Sequence, residues 1–423
     1  MFHVRRAAAL MAAAALGLAV LALPAAAGGQ AKQTEKIELS LEQALALAET
    51  HSPDVVMARH EVSRNVAREV GAGIVMPRNP TLSGDVRRSI NGRPSTLGYF
   101  ATIDTMFEVG GAPGARIREA RGYADLSRSE LDLGRLDAKV AAWSAYVRVR
   151  VSESRIAAFE TALGIAQRVR AATERRTELG AAGDIEGSLA LTEVGELQAG
   201  MRQAVTRLDL SLMDLRQALD LPASSQVVLT TVLDDPGPVA DLSTLMARAV
   251  RARPELAVIK RRVELYNLTD ERLAKEVFPK MGLYGGIDAT PESPTIGLIG
   301  LSVELPFAQR NQGPRAVAQA QIDTESERLN LEMRRIARDV TAARTAYEGR
   351  RAELKVLDET ALPAAMRTLE LVEAGWKAGR FDLFRVTTAA RDITRLRSKR
   401  LDAIEGAWLE RIALYRAVGG QPI

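Results

Sequence analysis

The chain lacks cysteine and is poor in histidine and aromatic residues, although it is 423 residues long. The absence of cysteine excludes disulfide bonds, thiolate metal sites, cysteine nucleophiles and lipidation of an N-terminal cysteine. Beyond the first 27 residues only His51 and His60 remain, and their spacing matches no zinc motif. Aromatic residues make up 4% of the chain, too few for the stacking platforms that bind nucleic acids. We therefore predict no metal site, no cofactor and no nucleic acid partner.

The chain also lacks a strong excess of charge of either sign. It has 57 lysines and arginines against 53 aspartates and glutamates, and 55 basic residues remain once Arg5 and Arg6 are set aside. A net charge near +2 (55 minus 53) gives no electrostatic basis for binding nucleic acid. The carboxylates are spread along predicted helices with arginines three or four residues away, as on solvated helix faces. No matched general acid and base emerges, and we predict that the chain is not an enzyme.

The long apolar run is confined to the N-terminus. Two arginines precede an apolar segment at residues 7–23, which Pro24 breaks before three alanines that end at Ala27. This order predicts a secretory signal peptide at residues 1–27, cleaved near Ala27, and a mature chain outside the cytoplasm. The alternative is a single membrane anchor, since about 17 apolar residues are near the lower limit for a span.

The sequence repeats itself at about half its length. The pattern around Pro53 returns around Pro254, 201 residues later (254 minus 53). Each copy predicts a helix, two strands, a very long helix, a turn and another long helix, and the turns contain Gly183 and Gly379. So long a period indicates duplication of a whole assembly. The predicted domains are a first repeat at residues 28–222, a linker at 223–240 and a second repeat at 241–423.

Four short segments alternate apolar and polar residues, at about residues 82–90, 97–109, 281–289 and 299–305. Each is about as long as a tilted strand that crosses a bilayer, and glycines and carboxylates occupy the second face. The alternative is a soluble four-stranded sheet with one buried face. Four strands cannot close a barrel by themselves. We therefore predict that three copies together form a single barrel of twelve strands. The following carboxylates are predicted to line its lumen: Asp85, Asp104, Glu108, Asp288 and Glu304.

The rest of the chain predicts long helices. An unbroken pattern at residues 115–179 would extend about 100 Å at 1.5 Å per residue, and a second runs from 315 toward 373. Pro363 is expected to kink or divide the second one. Returning helices are predicted at 185–221 and 381–418. Such hairpins bury their apolar stripes only beside neighbours, either in a trimer or in an elongated coiled-coil dimer.

Specific motifs resemble the TolC-type outer-membrane efflux family. The segment V-E-L-P-F-A-Q-R-N-Q-G at residues 303–313 is similar to the outer-membrane components of cobalt-zinc-cadmium efflux pumps. The opening L-S-L-E-Q-A-L-A-L-A-E-T-H-S-P, the M-P-R-N-P at Met76 and the E-V-G-G at Glu108 fit the same branch. The residues that carry the most specific motif are Arg310, Asn311, Gln312 and Gly313.

The resemblance implies a mainly α-helical, TolC-like homotrimer. Its twelve-stranded barrel would lie in outer-membrane lipid of a Gram-negative bacterium, with an α-helical tunnel in the periplasm. The implied partners are a periplasmic adaptor and an inner-membrane pump of the resistance-nodulation-division (RND) type. The implied role is a passive exit duct for divalent heavy-metal cations. The alternatives are a drug-efflux or type I secretion channel and, in another class, a soluble periplasmic coiled-coil scaffold or adaptor.

One departure from the family concerns the periplasmic gate. Many members carry acidic residues six and nine positions after the second-hairpin glycine, where this chain has Arg385 and Thr388. We therefore predict a gate closed by Arg385 salt bridges or by aromatic side chains, with Arg385 pairing to a neighbour's first-hairpin turn. The alternative is that these turn charges are only solvated. The remaining gate candidates are Asp184, Glu186, Phe381, Asp382 and Phe384.

Overall fold

The computed structural model describes residues 36–88, 97–179, 183–290 and 294–423. The predicted signal peptide and its cleavage near Ala27 lie outside these residues. Among the described residues, no helix combines the length and the apolar character that a membrane span requires.

Both halves of the chain run through the same order of elements. The first half comprises β1 (Lys36–Leu39), α1 (Leu41–His51), α2 (Pro53–Ala72), β2 (Thr81–Arg88), β3 (Leu97–Glu108), α3 (Ala112–Glu178) and α4 (Asp184–Ala218). The second comprises β4 (Gln226–Leu229), α5 (Leu242–Ala252), α6 (Pro254–Lys275), β5 (Lys280–Ala289), β6 (Ile296–Val303), α7 (Gln312–Val356), α8 (Leu362–Lys377) and α9 (Leu383–Ala417). The mainly helical fold with a small β part is confirmed. The sequence analysis missed the short strands β1 and β4.

The two repeated prolines mark the same break in each half. Pro53 opens α2 and Pro254 opens α6, each at the first helical position, where a missing N–H costs nothing. The residues before them, Ser52 and Arg253, have ψ angles of 136° and 118°, because proline excludes the helical conformation of its predecessor. Each proline therefore separates a short helix from the longer helix that follows.

The two longest helices differ in continuity. α3 is unbroken over 67 residues, which corresponds to about 100 Å. Before Pro363, α7 passes through a π-helical turn at Leu357–Ala361 and continues as α8. A proline ring clashes with the carbonyl four residues earlier, and a widened turn accommodates that clash without ending the helix. The predicted disturbance at Pro363 is thus a local widening.

β1 and β4 form a separate parallel pair that joins the beginnings of the two halves. The pair packs on α3 and α4 through a core that includes Leu39, Leu215 and Leu229. A matching cluster in the second half, around Leu245 and Ile336, lies between α5, α7 and α9. Between these clusters, Val147 and Val151 of α3 pack against α7 and α9. The helices of the two halves therefore pack directly against each other.

The four remaining strands form one antiparallel sheet in the order β2-β3-β5-β6. The central pair, β3 and β5, joins the first half of the chain to the second over ten residue pairs, from Tyr99–Ala289 to Glu108–Lys280. Within the described chain, β2 and β6 each pair on one side only, so the sheet has two open edges.

Candidate functional site

One face of the four-stranded sheet is mainly apolar, with Thr105 and Arg88 as polar exceptions. The strand register aligns Leu82 with Ile103, and Phe107 with Met281, which in turn faces Val303. These side chains are exposed, up to 82% for Ile299 and 77% for Leu82. The same face also carries Val86, Tyr99, Ala101, Leu283, Ile287, Ile299 and Leu301. The face predicted from the alternation is therefore present, and it is unusually apolar for an exposed surface.

The opposite face carries two of the predicted lumen carboxylates around one aromatic ring. Phe100 on β3 aligns with Asp85 on β2 and with Asp288 on β5. The Arg87 guanidinium lies 5.2 Å from the centre of the Phe100 ring, a cation–π distance. Two acidic side chains and one basic side chain thus share the middle of this face.

A third predicted carboxylate already has a cationic partner on this face. Asp104 accepts a hydrogen bond of 2.8 Å from Arg78, which precedes β2. Asp104 aligns with Thr81 and Tyr284 across the sheet. Its negative charge is therefore partly offset inside the chain.

The last two predicted carboxylates lie where the sheet joins the helices. Glu108 ends β3, is only 9% exposed and forms an ion pair with Arg116 of α3. Arg116 also donates to the Ile74 carbonyl at 2.7 Å. Glu304 follows β6 and lies 3.8 Å from Lys280. The sequence analysis did not anticipate these partners, because neither contact follows helical or strand periodicity.

The R-N-Q-G motif forms a turn held by its own hydrogen bonds. Arg310 donates its backbone N–H to the Gln312 side-chain oxygen at 2.7 Å, and Gln312 donates to the Ala308 carbonyl at 2.8 Å. Asn311 has a left-handed φ of 56°, and its amide donates to the Leu273 carbonyl at the end of α6. Gly111, which precedes α3 in the first half, has a φ of 86°. The motif therefore forms the turn that leads into α7, and its last residue, Gly313, lies in the first turn of that helix.

The second hairpin reverses through a Schellman turn. Gly379 has a φ of 71° and donates to the Trp376 carbonyl at 2.9 Å, while Arg380 donates to the Gly375 carbonyl at 2.8 Å. The Phe381 ring packs on Gly375, where a Cβ would meet it. The local hydrogen bonds satisfy the last carbonyls of α8, so this tip has a defined conformation.

The gate candidates of the second hairpin contact one another within a single turn. Asp382 caps α9 by accepting the Arg385 backbone N–H at 3.1 Å, and the Arg385 guanidinium lies 4.0 Å from the same carboxylate. That guanidinium also lies 5.1 Å from the centre of the Phe381 ring. Thr388 donates its hydroxyl to the Phe384 carbonyl at 2.8 Å, and the Phe384 side chain is 59% exposed. Phe384 is therefore the exposed large apolar side chain of this tip.

The first-hairpin candidates do not contact Arg385 within the chain. Gly183 precedes α4 with a φ of −92°, so the first tip uses no left-handed glycine at this position. Asp184 and Glu186 lie in the first turn of α4, where negative charge is favourable. The proposed pairing of Arg385 with these carboxylates of a neighbouring copy stays a prediction.

An ion pair between the hairpins was missed by the sequence analysis. The Arg391 guanidinium of α9 contacts the carboxylate of Glu193 on α4 and lies 3.5 Å from Glu196. Glu193 is 7% exposed, and Leu383 and Ala190 pack together nearby. The contact joins residues 198 apart, a separation that no local pattern reveals.

No metal centre emerges from the described part of the chain, where no three histidine, aspartate or glutamate side chains are grouped to hold an ion. His51 ends α1 and His60 lies in the middle of α2.

Comparisons with known proteins agree with this architecture. Residues 248–420 match the model of the outer membrane efflux protein family. The chain is 24% identical over 389 residues to the cobalt-zinc-cadmium resistance protein CzcC of Cupriavidus metallidurans, and the alignment covers 90% of each protein. Its fold is similar to that of CusC, with a TM-score of 0.74 at 17% identity over 92% of this chain and 94% of that one. It is also similar to the outer membrane protein VceC of Vibrio cholerae, with a TM-score of 0.72 at 15% identity over 90% and 96% of the two chains. Residues 248–420 therefore match the outer membrane efflux protein family, and the described part of the chain has the TolC-like fold.

Proposed function

We propose that the chain is the outer-membrane exit duct of a tripartite RND-type efflux pump that exports divalent heavy-metal cations. The duct is a passive conduit that catalyses no reaction. It works with a periplasmic adaptor and an inner-membrane pump. The chain reaches the outer membrane after cleavage of its signal peptide near Ala27 and is not lipid-anchored.

The apolar face of the sheet is the observation that carries this proposal. An exposed apolar surface of this kind marks a contact with lipid or protein, and the carboxylates Asp85, Asp104 and Asp288 lie on the other face of the same strands. Because β2 and β6 present unpaired backbone groups, a lone sheet is not viable in hydrocarbon. Three copies that pair β2 of one with β6 of the next satisfy both edges.

The two hairpins support the periplasmic part of the proposal. α3 is about 100 Å long, and the hairpin α3–α4 packs against the second hairpin through α9. Three such chains supply a tube of helices that extends from the barrel. This arrangement differs from a soluble adaptor, which has no reason to expose an apolar strand face.

The metal cargo rests on the likeness to CzcC, whose name assigns cobalt, zinc and cadmium resistance to that protein. The likeness extends over 90% of both proteins, so it includes sheet and hairpins alike. A conduit needs no dedicated metal site, since it has only to leave an ion path open.

A matched pair of variants tests the lipid-facing surface. Ile299 and Leu298 are neighbouring aliphatic residues of β6 on opposite faces. Ile299→Lys places a charge against lipid at a cost of about 2–4 kcal/mol and is expected to abolish recovery of a membrane-inserted trimer. Leu298→Lys places the same charge on the polar face and is expected to leave assembly intact. Equal trimer yields by membrane fractionation and native mass spectrometry contradict the proposed orientation.

The cargo requires a separate experiment in cells. A strain lacking the chain is expected to become sensitive to zinc, cobalt and cadmium, and the wild-type chain is expected to restore resistance. Sensitivity to drugs with unchanged metal resistance favours a drug-efflux channel instead, and loss of an exported protein favours type I secretion.

A further inference from the structure

A cavity of about 160 Å³ lies between the two hairpins near their tips. Helices α3, α4, α8 and α9 all contribute to its walls, so it belongs to one chain. The space exists because several facing residues have small side chains: Ala162, Ala166, Ala190 and Ala390. Larger apolar side chains, including Val169, Val386 and Ile393, form much of the remaining wall, and charged side chains lie at its edges.

The size and apolar lining of this cavity suit a small organic group. Apolar cavities of about 150 Å³ stay dry and accept a benzene-sized molecule. Water in such a space needs several polar partners. The two threonines in the lining, Thr387 and Thr394, already donate their hydroxyls to the Phe384 and Ala390 carbonyls, so the inner part offers water few free partners. Occupation by an apolar group is therefore favoured over hydration of the inner part.

The charges that line the cavity favour a cation. Glu370 and Glu373 of α8 both line it, and neither forms a hydrogen bond or an ion pair with another described residue. A third carboxylate, Glu193, is already paired with Arg391. Two carboxylates without a partner therefore lie next to an apolar space.

The one guanidinium in the lining lies away from these carboxylates. Arg397 is 18 residues beyond Gly379, whereas Glu370 is 9 residues before it. In an antiparallel hairpin this difference places Arg397 about 13 Å further from the tip. Arg397 also borders a second, smaller space with Phe159 and Ser398. The end nearer the tip is therefore the acidic one.

We propose that this cavity binds a small cationic amphiphile. Its aromatic or short aliphatic group fills the space among the alanines, and its ammonium group lies against Glu370 and Glu373. Such a ligand contacts both hairpins at once, so its binding stabilises their contact by mass action. The site is formed by a single chain and does not depend on the exported substrate.

The test uses 4-fluorobenzylamine and its neutral analogue 4-fluorobenzyl alcohol with the full processed chain in lipid nanodiscs. Fluorine NMR titrations are expected to give saturable binding, with the alcohol about fivefold weaker because it lacks the ion pair. Ala166→Leu fills the cavity and is expected to abolish binding of both probes. Ala171→Leu, on an exposed position of the same helix, is the matched control and is expected to bind like the wild type.

The double variant Glu370→Gln, Glu373→Gln removes both charges and leaves the size of the two side chains nearly unchanged. It is expected to bind the amine and the alcohol with equal affinity. Circular dichroism verifies that each variant remains helical. The proposal is overturned if the wild type binds neither probe, if it binds both equally, or if Ala166→Leu binds them unchanged. None of these results bears on channel conductance or metal resistance, so the exit-duct proposal stands or falls separately.

Discussion

Tyr146 and Tyr347 lie 201 residues apart (347 minus 146), the same offset as Pro53 and Pro254, and both hydroxyls hold the segment that joins the two halves. Tyr146 accepts the Thr231 N–H at 3.0 Å and donates to the Leu39 carbonyl. Tyr347 donates to the Gly237 carbonyl. Both side chains are fully buried, at 0% and 1% exposure. Tyrosines at equivalent positions of the two repeats thus both bond to the linker backbone. They bind different parts of it, Tyr146 at Thr231 and Tyr347 at Gly237.

Removing these hydroxyls is expected to destabilise the chain unequally. Tyr146→Phe leaves the Thr231 N–H without its partner, at a cost of about 1–3 kcal/mol. Tyr347→Phe is expected to cost less, about 1 kcal/mol, because Arg411 also lies within reach of the Gly237 carbonyl, at 3.5 Å. Thermal unfolding followed by circular dichroism measures both. Tyr266→Phe on α6, whose hydroxyl makes no hydrogen bond within the described residues, is the control. Equal stability of all three variants contradicts the assignment.

The two turn glycines are expected to respond differently to the same substitution. A Cβ at either position meets no atom within 4 Å, so only backbone conformation distinguishes them. Gly379→Ala forces alanine into a left-handed φ and is expected to cost about 1–2 kcal/mol. Gly183→Ala is expected to cost less than Gly379→Ala, because a φ of −92° suits alanine and only the poorer N-capping by alanine opposes the change. Thermal midpoints of the paired variants check this, and equal losses contradict it.

The linker contact between Asp235 and Arg351 predicts a pH dependence of stability. The hydrogen bonds from Arg351 lower the pKa of Asp235 below its ordinary value of 3.8. A carboxyl group with a lower pKa in the folded state stabilises the fold above its ordinary pKa, and that contribution is lost as the pH falls through the folded value. Asp235→Asn is therefore expected to be less stable than the wild type at pH 7 and to approach the wild-type stability as the pH falls through the lowered pKa.

The size of this effect is limited by solvent. The Asp235 side chain is 46% exposed, so the loss at pH 7 is expected to stay below about 1 kcal/mol. Denaturant midpoints measured from about pH 2 to pH 7 follow this loss of stabilisation as the pH falls. Asp234→Asn, which removes an adjacent exposed carboxylate, is the control and is expected to show no such convergence. A constant difference across that range excludes the ion pair as its cause.

The carboxylates of the polar sheet face are expected to contribute unequally to ion preference. Asp288 lies beside Phe100 without a salt bridge, whereas Asp104 is paired with Arg78 at 2.8 Å. Asp288→Asn is therefore expected to reduce cation preference more than Asp104→Asn, because rings of uncompensated charge tune a pore. Reversal potentials in planar bilayers under a salt gradient measure both variants. If neither variant shifts the potential, these residues lie outside the ion path.

The gate hypothesis can be separated from the local salt bridge of Arg385. Arg385→Glu is expected to raise closed-state conductance and leakage, because it places a second carboxylate beside Asp382 and removes the positive charge available to a neighbouring copy. Arg395→Glu is the matched control. Arg395 forms the same type of i,i+3 pair with Asp392, on the same helix but further from the tip. Similar leakage in both variants, or in neither, contradicts a gate role for Arg385.

Periodic features of the fold followed from the sequence. The apolar strand face was predicted correctly because side chains alternate with a period of two, and the register confirms that face. The alternation did not reveal Phe100, Tyr284 and Leu298, which the register places on the opposite face beside the carboxylates. The long helices were predicted within a few residues, since unbroken apolar spacing continues until a glycine or proline interrupts it. The partners of Glu108, Asp104 and Glu193 could not be predicted, because ion pairs between elements depend on how those elements pack.

The sequence alone therefore determined the duplication, the order of helices and strands and the two-faced character of the sheet, since each of these is written in local spacing. Tertiary structure decided which charges remain available. It paired Glu108 with Arg116 and Glu193 with Arg391, and it placed Glu370 and Glu373 beside an apolar cavity. The physical reason is that a charge becomes functional or structural according to the partner within a few ångströms, and distant segments supply that partner only after the chain has folded.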